Sequence, residues 1–563
     1  MLSRRDFLQA ALAASALAGG SAGSLGRAIA QGSLTQEHLL EFEALGNVTL
    51  MHVADIHAQL VPMYFREPSL NIGVGEAKGL VPHINGKAYL EKFGLSAGSA
   101  EAYALTGEDF VALARTYGRM GGLDRIATIV KAIRAERPGR ALLLDGGDTW
   151  TNSWTSFSTK AQDMVDAMSL LAPDAATGHW EFTLGEARIK EITGKLAFPF
   201  LAQNVRDTEF EDPVFPAHKI FERGGVRIGV IGQAFPFTPI ANPRWMIPQW
   251  TFGIRAEDMQ RQVDEVRAKG AELVVLLSHN GFDLDRKMAR SIRGIDVILT
   301  AHTHDALPQV VKVDRTLLVA SGSHGKFVSR LDLDVRGKEI KDFRFRLIPI
   351  FADAIKPDAD MASAVARHRA PYADELARTL GRTRTLLYRR GSFAGTLDDL
   401  FCEAMLAERE AEIALSPAFR WGSTLLPDEA ITFEDITNAC AVTYPACYRM
   451  KMTGARLKEV LEDVADNIFN PDPYYQQGGD MVRTGGLGFT LDVGAGAGKR
   501  ISGLTLLRTG KPLEATGEYV VAGWASVNEG TEGPPIWDVV AKYVAARQTI
   551  DVKPSAAVKI VGA

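Results

Sequence analysis

Leu142-Leu143-Leu144-Asp145-Gly146-Gly147-Asp148 is an apolar run that closes on a carboxylate, two glycines and a second carboxylate. Four other stretches likewise place aspartate or histidine just after an apolar-looking run. They are Leu50-Met51-His52-Val53-Ala54-Asp55-Ile56-His57, Thr177-Gly178-His179-Trp180-Glu181-Phe182, Val274-Val275-Leu276-Leu277-Ser278-His279-Asn280 and Val297-Ile298-Leu299-Thr300-Ala301-His302-Thr303-His304. In an open α/β sheet, ligands bind beyond the carboxyl ends of the strands. The period-two alternation of a strand predicts that the two side chains of Asp-x-His, and of His-x-His, leave on one face. The glycine pair before Asp148 lets backbone approach a ligand closely. A lone histidine of this kind is ordinarily a hydrogen-bonded structural residue. Five such segments together point instead to a site built from Asp55, His57, Asp148, His179, His279, His302 and His304. Seven donors are too many for one cation with open positions and suit two divalent cations sharing a carboxylate.

From about Asn47 to Arg346 strand-like and helix-like segments alternate. Ile126, Ile129, Val130 and Ile133 recur at helical spacing between Gly122 and Arg137, ahead of the breaker Pro138-Gly139 and a strand at Ala141–Leu144. Met259, Val263 and Val266 repeat the pattern between Arg255 and Lys269, with Gly270 as the expected C-cap. Val226–Ile231, Leu273–Leu277, Asp296–Leu299 and Thr316–Ala320 read as core strands. The expected fold class is layered α/β. Residues 58–120 interrupt the rhythm, and a connection of that length usually walls or lids a site; Tyr64, Phe65, Arg66 and Tyr117 are its candidate contacts. A linker helix is expected from about Asp358 to Leu380, within a connector at 351–380. A second domain at 381–563 follows, with a helix at Thr396–Glu408. In it, Arg420 beside Trp421 reads as an anion clamp, and Trp524, expected in a glycine-rich loop, as an aromatic wall.

The chain has 563 residues, 46% hydrophobic and 23% charged, with a formal net charge of -5. This length predicts more than one domain, and the lack of a basic cluster argues against nucleic acid as a partner. At the N-terminus, Ser3-Arg4-Arg5-Asp6-Phe7-Leu8 precedes an alanine-rich stretch ending at Ala28-Ile29-Ala30. That order predicts a twin-arginine export signal at 1–30 and a periplasmic protein that does not span the membrane. Cys402, Cys440 and Cys447 are too few for a disulfide framework, leaving either one bridge between Cys440 and Cys447 or buried thiols.

The order Asp-x-His, Gly-Gly-Asp, Gly-His-x-Glu-Phe, His and His-x-His resembles the calcineurin-like metallophosphoesterases. With the second domain, the chain looks like the 5′-nucleotidases. The resemblance implies a four-layer α/β catalytic domain at 40–350 and a smaller α+β C-terminal domain that binds substrate. It further implies one metal at Asp55, His57, Asp148 and His304, another at Asp148, His179, His279 and His302, and a substrate-gripping Arg420.

One segment departs from the nucleotidase pattern. Those enzymes carry Gly-Asn-His-Glu-Phe-Asp, whose His–Asp pair assists the departing alkoxide, whereas here Trp180 and Thr183 replace the pair and His179 replaces the asparagine. Losing a positioned acid costs a poor leaving group ~10²–10⁴ in rate, while a sulfur anion departs unprotonated. Gly178-His179-Trp180-Glu181-Phe182, the segment from Asp55 to Pro68, the Trp524 region and the twin arginines resemble the SoxB thiosulfohydrolases of bacterial sulfur oxidation. That resemblance implies a monomer with two Mn²⁺, although the ligand set admits Zn or Fe equally. It implies attack of a dimetal-bound hydroxide on the sulfonate sulfur of a cysteine-S-thiosulfonate held on the SoxYZ carrier, releasing sulfate. Asp148, His179 and Arg420 would carry the reaction, and Tyr64, Arg66, Trp180 and Trp524 would line the substrate channel. The alternatives are a periplasmic 5′-nucleotidase or cyclic phosphodiesterase with altered leaving-group assistance, and a non-catalytic scaffold that binds metal or carrier.

Overall fold

The computed structural model describes residues 34–391 and 393–562; the expected signal segment at 1–30 lies outside them. Two sheets form the centre of the first domain. One runs Glu339–Pro349, Phe327–Arg336, Val48–Val53, Ala141–Asp145, Ala175–Ala176, with the last three strands parallel. The other runs Val311–Val313, Thr316–Ala320, Val297–Thr300, Leu273–Ser278, Val226–Gln233, His218–Arg223, with its four inner strands parallel.

Alternation along these strands decides the layering. Leu50, Leu142 and Leu144 of the first sheet meet Leu273, Val275, Leu277 and Leu299 of the second in a core between the sheets. Met51, Val53 and Leu143 point the other way, onto the helices Leu123–Glu136 and Gln162–Leu171. On the far side Val274, Leu276 and Ile298 meet the helices Ala256–Ala268 and Phe282–Ser291. The result is a four-layer α/β sandwich, and strands covered on both faces read as continuous apolar runs for that reason. Both predicted helices form, with Gly270 at φ +90 one residue beyond the cap Lys269.

Residues 58–120 are a helical excursion carrying Gly86–Phe93, Ala100–Leu105 and Phe110–Tyr117. The linker helix is shorter than expected, Ala359–Arg369 followed by two short turns. Asp358 caps it by accepting from the Met361 N–H, and Met361 and Val365 seat it on the first domain's helical layer. The smaller C-terminal domain has a mixed sheet, in order Cys447–Thr453, Glu518–Trp524, Ile413–Ser416, Arg483–Gly485, against the helices Thr396–Glu408 and Ile536–Arg547. All three cysteines are free and buried, which settles the disulfide question in favour of thiols. No helix among the described residues is long and apolar enough to cross a membrane.

Candidate metal centre

Five strands of the two sheets end side by side, and each delivers its ligand-type side chain from the loop just beyond. Val53 pairs with Asp145, Asp145 with Ala176, and Ser278 with Thr300. Asp55, His57, Asp148, His302 and His304 therefore lie past the strands. All five sit in the left-handed region, with φ of 51, 51, 55, 76 and 59. The expected same-face alternation is thus not what aims them. Left-handed turns do, and His302 and His304 go to different ligand groups. Such backbone is costly outside glycine and persists where the surroundings impose it, commonly at functional sites.

The seven side chains converge on two groups, each with its donor atoms within 4.8 Å of one another: Asp55, His57, Asp148 and His304, and Asp148, His179, His279 and His302. Asp148 belongs to both. Its Oδ1 accepts from the Trp180 N–H at 2.8 Å. Its Oδ2 faces His279 Nε2 at 3.1 Å, His179 Nδ1 at 3.5 Å and His57 Nε2 at 4.0 Å, so one oxygen addresses both groups. On the other side His304 Nε2 stands 3.5 Å from Asp55 Oδ1 and 2.9 Å from His57 Nε2.

Buried polar atoms are normally paired, yet His179 Nδ1 and His279 Nε2 have no hydrogen-bond partner. Their opposite nitrogens are both engaged. His179 Nε2 donates to Asn242 Oδ1 at 2.8 Å and His279 Nδ1 to the Gly146 carbonyl at 2.6 Å; likewise His57 Nδ1 donates to Asn152 Oδ1 at 3.0 Å. Such outer partners fix the tautomer that turns a bare nitrogen inward. Burial drives His57 down to about 4, and His302 and His304 well below the usual imidazole range. Those three are thereby neutral, as a cation requires, whereas at His279 burial is outweighed by Asp148 and Asp55, which raise it to about 10, so a cation there would displace its proton. Burial also opposes charge on Asp148, but His279 and His179 beside it hold its carboxyl well below the usual range. The donor set and the orphaned nitrogens fit a pair of divalent cations.

Glu181 braces the assembly: its carboxylate accepts from the backbone N–H of Asp148, Thr149, Trp150 and His179. A cleft over the centre is lined by His57, Asp148, His179, Trp180, Phe419, Arg420, Trp421 and Asp480, among others. Arg420 reaches it from the loop after Ile413–Ser416, donating to the His302 carbonyl at 3.2 Å and lying 3.5 Å from Asp480. Trp180 meets Trp421 and Phe419 edge-on at 4.7 and 5.0 Å, and Trp421 stacks on His57 at 5.0 Å.

Of the expected channel residues, Trp180 lines this cleft, and Tyr64, Arg66 and Trp524 are not among its lining residues. Trp524 ends a strand rather than sitting in a loop, and it backs Phe419 from behind, edge-on at 5.4 Å. Tyr64 and Arg66 hold Thr424 of the second domain: the Tyr64 carbonyl accepts from the Thr424 N–H, and the Arg66 N–H donates to Thr424 Oγ1. Thr183 is buried, donating to the Trp180 carbonyl at 2.7 Å. Asn152, Asn242, Glu181 and Phe419 were missed as contributors. Glu181 and Phe419 stand inside or beside quoted motifs, whereas the two asparagines carry no local signal.

Residues 379–541 match the family described as 5′-nucleotidase, C-terminal domain. Rat 5′-nucleotidase is 24% identical over 486 residues, covering 77% of this chain and 82% of that protein. A 5′-nucleotidase precursor structure from Thermus thermophilus shares the fold, with TM-score 0.73 at 20% identity over 92% of this chain and 100% of the other. Fold and centre together define a metallophosphoesterase of the 5′-nucleotidase superfamily, a group of hydrolases. The sulfate thiohydrolase SoxB of Thermus thermophilus is much nearer: 37% identity, TM-score 0.89, covering 93% of this chain and 98% of that one. The chain belongs to the SoxB family.

Proposed function

We propose that this protein hydrolyses a cysteine-S-thiosulfonate carried on SoxYZ, releasing sulfate and leaving a persulfide on the carrier cysteine. Asp55, His57, Asp148, His179, His279, His302 and His304 hold two manganese ions, and 37% identity to a SoxB sulfate thiohydrolase supports the substrate class. Bound there, two divalent cations supply Lewis-acid polarisation and a nucleophile at neutral pH. Arg420 grips sulfonate oxygens through charge-assisted hydrogen bonds. Trp180, Phe419 and Trp421 exclude water on the leaving-group side.

The observation that carries this reading is the lack of a proton donor in the cleft. Apart from the ligand-type residues, its ionisable lining groups among the described residues are Arg420 and Asp480. Asp480 is tied up by Arg420 and by Arg483 at 3.4 Å. An alkoxide leaving without an acid forfeits ~10²–10⁴ in rate; a persulfide anion does not need one. In this reading residues 40–350 are the catalytic unit, 351–380 the connector and 381–563 the gripping unit. The protein works as a periplasmic monomer, exported through its twin-arginine segment at 1–30.

The test is a parallel incubation of metal-loaded protein with thiosulfonate-loaded SoxYZ and with AMP. Sulfate without phosphate is expected. Efficient phosphate release with no sulfate would select a nucleotidase instead. Elemental analysis of the freshly purified protein is expected to give two equivalents of manganese, and two of zinc in a fully active sample would replace it.

A further inference from the structure

His279 reaches the centre from the loop that joins the strand Leu273–Ser278 to the helix Phe282–Ser291. Both of its chain neighbours are fastened to one carboxylate oxygen. Ser278 Oγ donates to Asp285 Oδ1 at 2.7 Å, and Asn280 Nδ2 donates to the same atom at 2.8 Å. Asp285 stands in the first turn of the helix with no exposed surface. It lines none of the metal cleft and belongs to neither ligand group.

The bonds around the loop form a closed set. The Asn280 N–H donates to Ser278 Oγ at 3.2 Å, and Asn280 Oδ1 accepts from Gln233 Nε2 at 3.1 Å. The Gln233 carbonyl in turn accepts from the His279 N–H at 2.9 Å. The backbone carrying His279 is thus held at its own N–H by Gln233 and on both flanks by Asp285. From that fixed base, His279 Nδ1 donates to the Gly146 carbonyl at 2.6 Å, which leaves Nε2 3.1 Å from Asp148 Oδ2. Docking the helix on the sheet needs none of these polar bonds, because Phe282, Leu284 and Met288 already pack against Val274, Leu276 and Ile298. A buried carboxylate is costly to keep. What it adds here, beyond apolar packing, is a fixed direction for residues 278–280.

We propose that Asp285 is a positioning residue for the cation site formed by Asp148, His179, His279 and His302: through Ser278 and Asn280 it fixes the loop that presents His279 Nε2. The role rests on the two-cation reading of the centre and not on the identity of the substrate.

The experiment dialyses metal-stripped wild type, Asp285→Ala, Asp285→Asn, Ser278→Ala and Met259→Ala against graded Mn²⁺. Bound metal is measured by elemental analysis, and spin coupling between the two ions by electron paramagnetic resonance. Met259, on the helix Ala256–Ala268, is buried in the same layer but outside the hydrogen-bonded set, so its truncation reports loss of packing alone. Wild type should bind two equivalents and show a coupled pair. Asp285→Ala should bind the first equivalent as wild type does and the second with Kd raised ~10–100-fold, the usual cost of losing an outer partner of a ligand. At Mn²⁺ concentrations that fill wild type it should give the hyperfine-split spectrum of an isolated ion. Asp285→Asn keeps Oδ1 as an acceptor and should bind both ions as wild type does. Ser278→Ala, a smaller cut at the same oxygen, should weaken the same equivalent, and Met259→Ala should melt early yet hold both ions. Wild-type binding of both ions in Asp285→Ala would overturn the role, as would an equal loss of the second ion in Met259→Ala. A loss in Asp285→Asn as deep as in Asp285→Ala would assign the effect to charge and overturn it too. Should Asp285→Ala not fold, unchanged binding in Ser278→Ala has the same force. A single equivalent in wild type would instead sink the two-cation reading itself.

Discussion

Asp148 is the residue on which the two halves of the centre depend, because its Oδ2 is the atom that faces both groups. Asp148→Ala should therefore lose both metal equivalents and all turnover. His57→Ala, which belongs to one group, should lose only one equivalent. Elemental analysis beside a sulfate assay separates these outcomes, and turnover surviving in Asp148→Ala would mean the centre is not catalytic. Arg420→Ala should raise the KM for thiosulfonate ~10–100-fold, the value of a hydrogen bond to a charged group, with metal content intact. Away from the centre, Asp163 offers a pH test. Its Oδ1 accepts from Thr159 Oγ1 at 2.8 Å, its Oδ2 has no partner, and burial pushes its carboxyl up to about 6. A folded-state value above the unfolded one of about 3.9 means the fold favours the protonated form. Stability is thus fully present below about 4 and lost as pH rises to about 6 and beyond. Asp163→Asn, neutral throughout, should be more stable than wild type at pH 8 and lose that advantage at pH 4, as followed by urea melts. An equal difference at both pH values would remove this account.

At the scale of elements, the ligand loops meet through glycine. A Cβ on Gly147 would fall 2.7 Å from Gly178 Cα, and its φ is +91. Gly147→Ala should force the loop carrying Asp148 away from the one carrying His179, costing more than about 1 kcal/mol in stability where φ is positive. It should also weaken metal retention under chelator challenge, and a variant that keeps its metals as wild type does would show the loops can adjust. This close approach was legible in Gly146-Gly147 of the sequence. So were the strands and helices, because burial on both faces leaves unbroken apolar runs such as Leu273–Leu277, and burial on one face leaves the spacing of Ile126, Ile129, Val130 and Ile133. What the sequence hid was geometry set from afar. Strand alternation offered a simple reason for Asp-x-His, but the strands stop at Val53 and Thr300. Asn242 reaches His179 from 63 positions away and Asn152 reaches His57 from 95, distances at which no local pattern exists. Trp524 was misplaced for a related reason: its glycine-rich surroundings resemble a loop, while its indole is held within the core by Ser416.

Across the whole molecule, one buried cluster ties the excursion, the catalytic sheet and the C-terminal domain together. Glu67 takes Lys326 Nζ on Oε1 at 2.6 Å and Arg390 on Oε2 at 3.3 Å. Arg390 also donates to the carbonyls of His304 and Thr303 at 2.9 and 2.7 Å, so the same guanidinium that meets Glu67 holds a metal-side loop. Lys326 completes its set with the Ala104 and Phe65 carbonyls. Removing one member of a buried charge group leaves the others uncompensated, at a cost of about 3–5 kcal/mol. Glu67→Ala should lose that much stability in a denaturant melt, because it strands two cations at once. Glu67→Gln, which keeps both acceptor positions near the same atoms only in part, should lose less. The cluster also links the domains to the centre, so Arg390→Met should destabilise the fold as Glu67→Ala does and, by loosening the His304 loop, speed metal loss to chelator beyond that of Glu67→Ala. If Arg390→Met retained both metals as wild type does while Glu67→Ala unfolded early, the cluster would be a fastening between domains with no hold on the site. Faster metal loss in Arg390→Met would instead mean that the docking of the C-terminal domain helps keep the seven ligands in place.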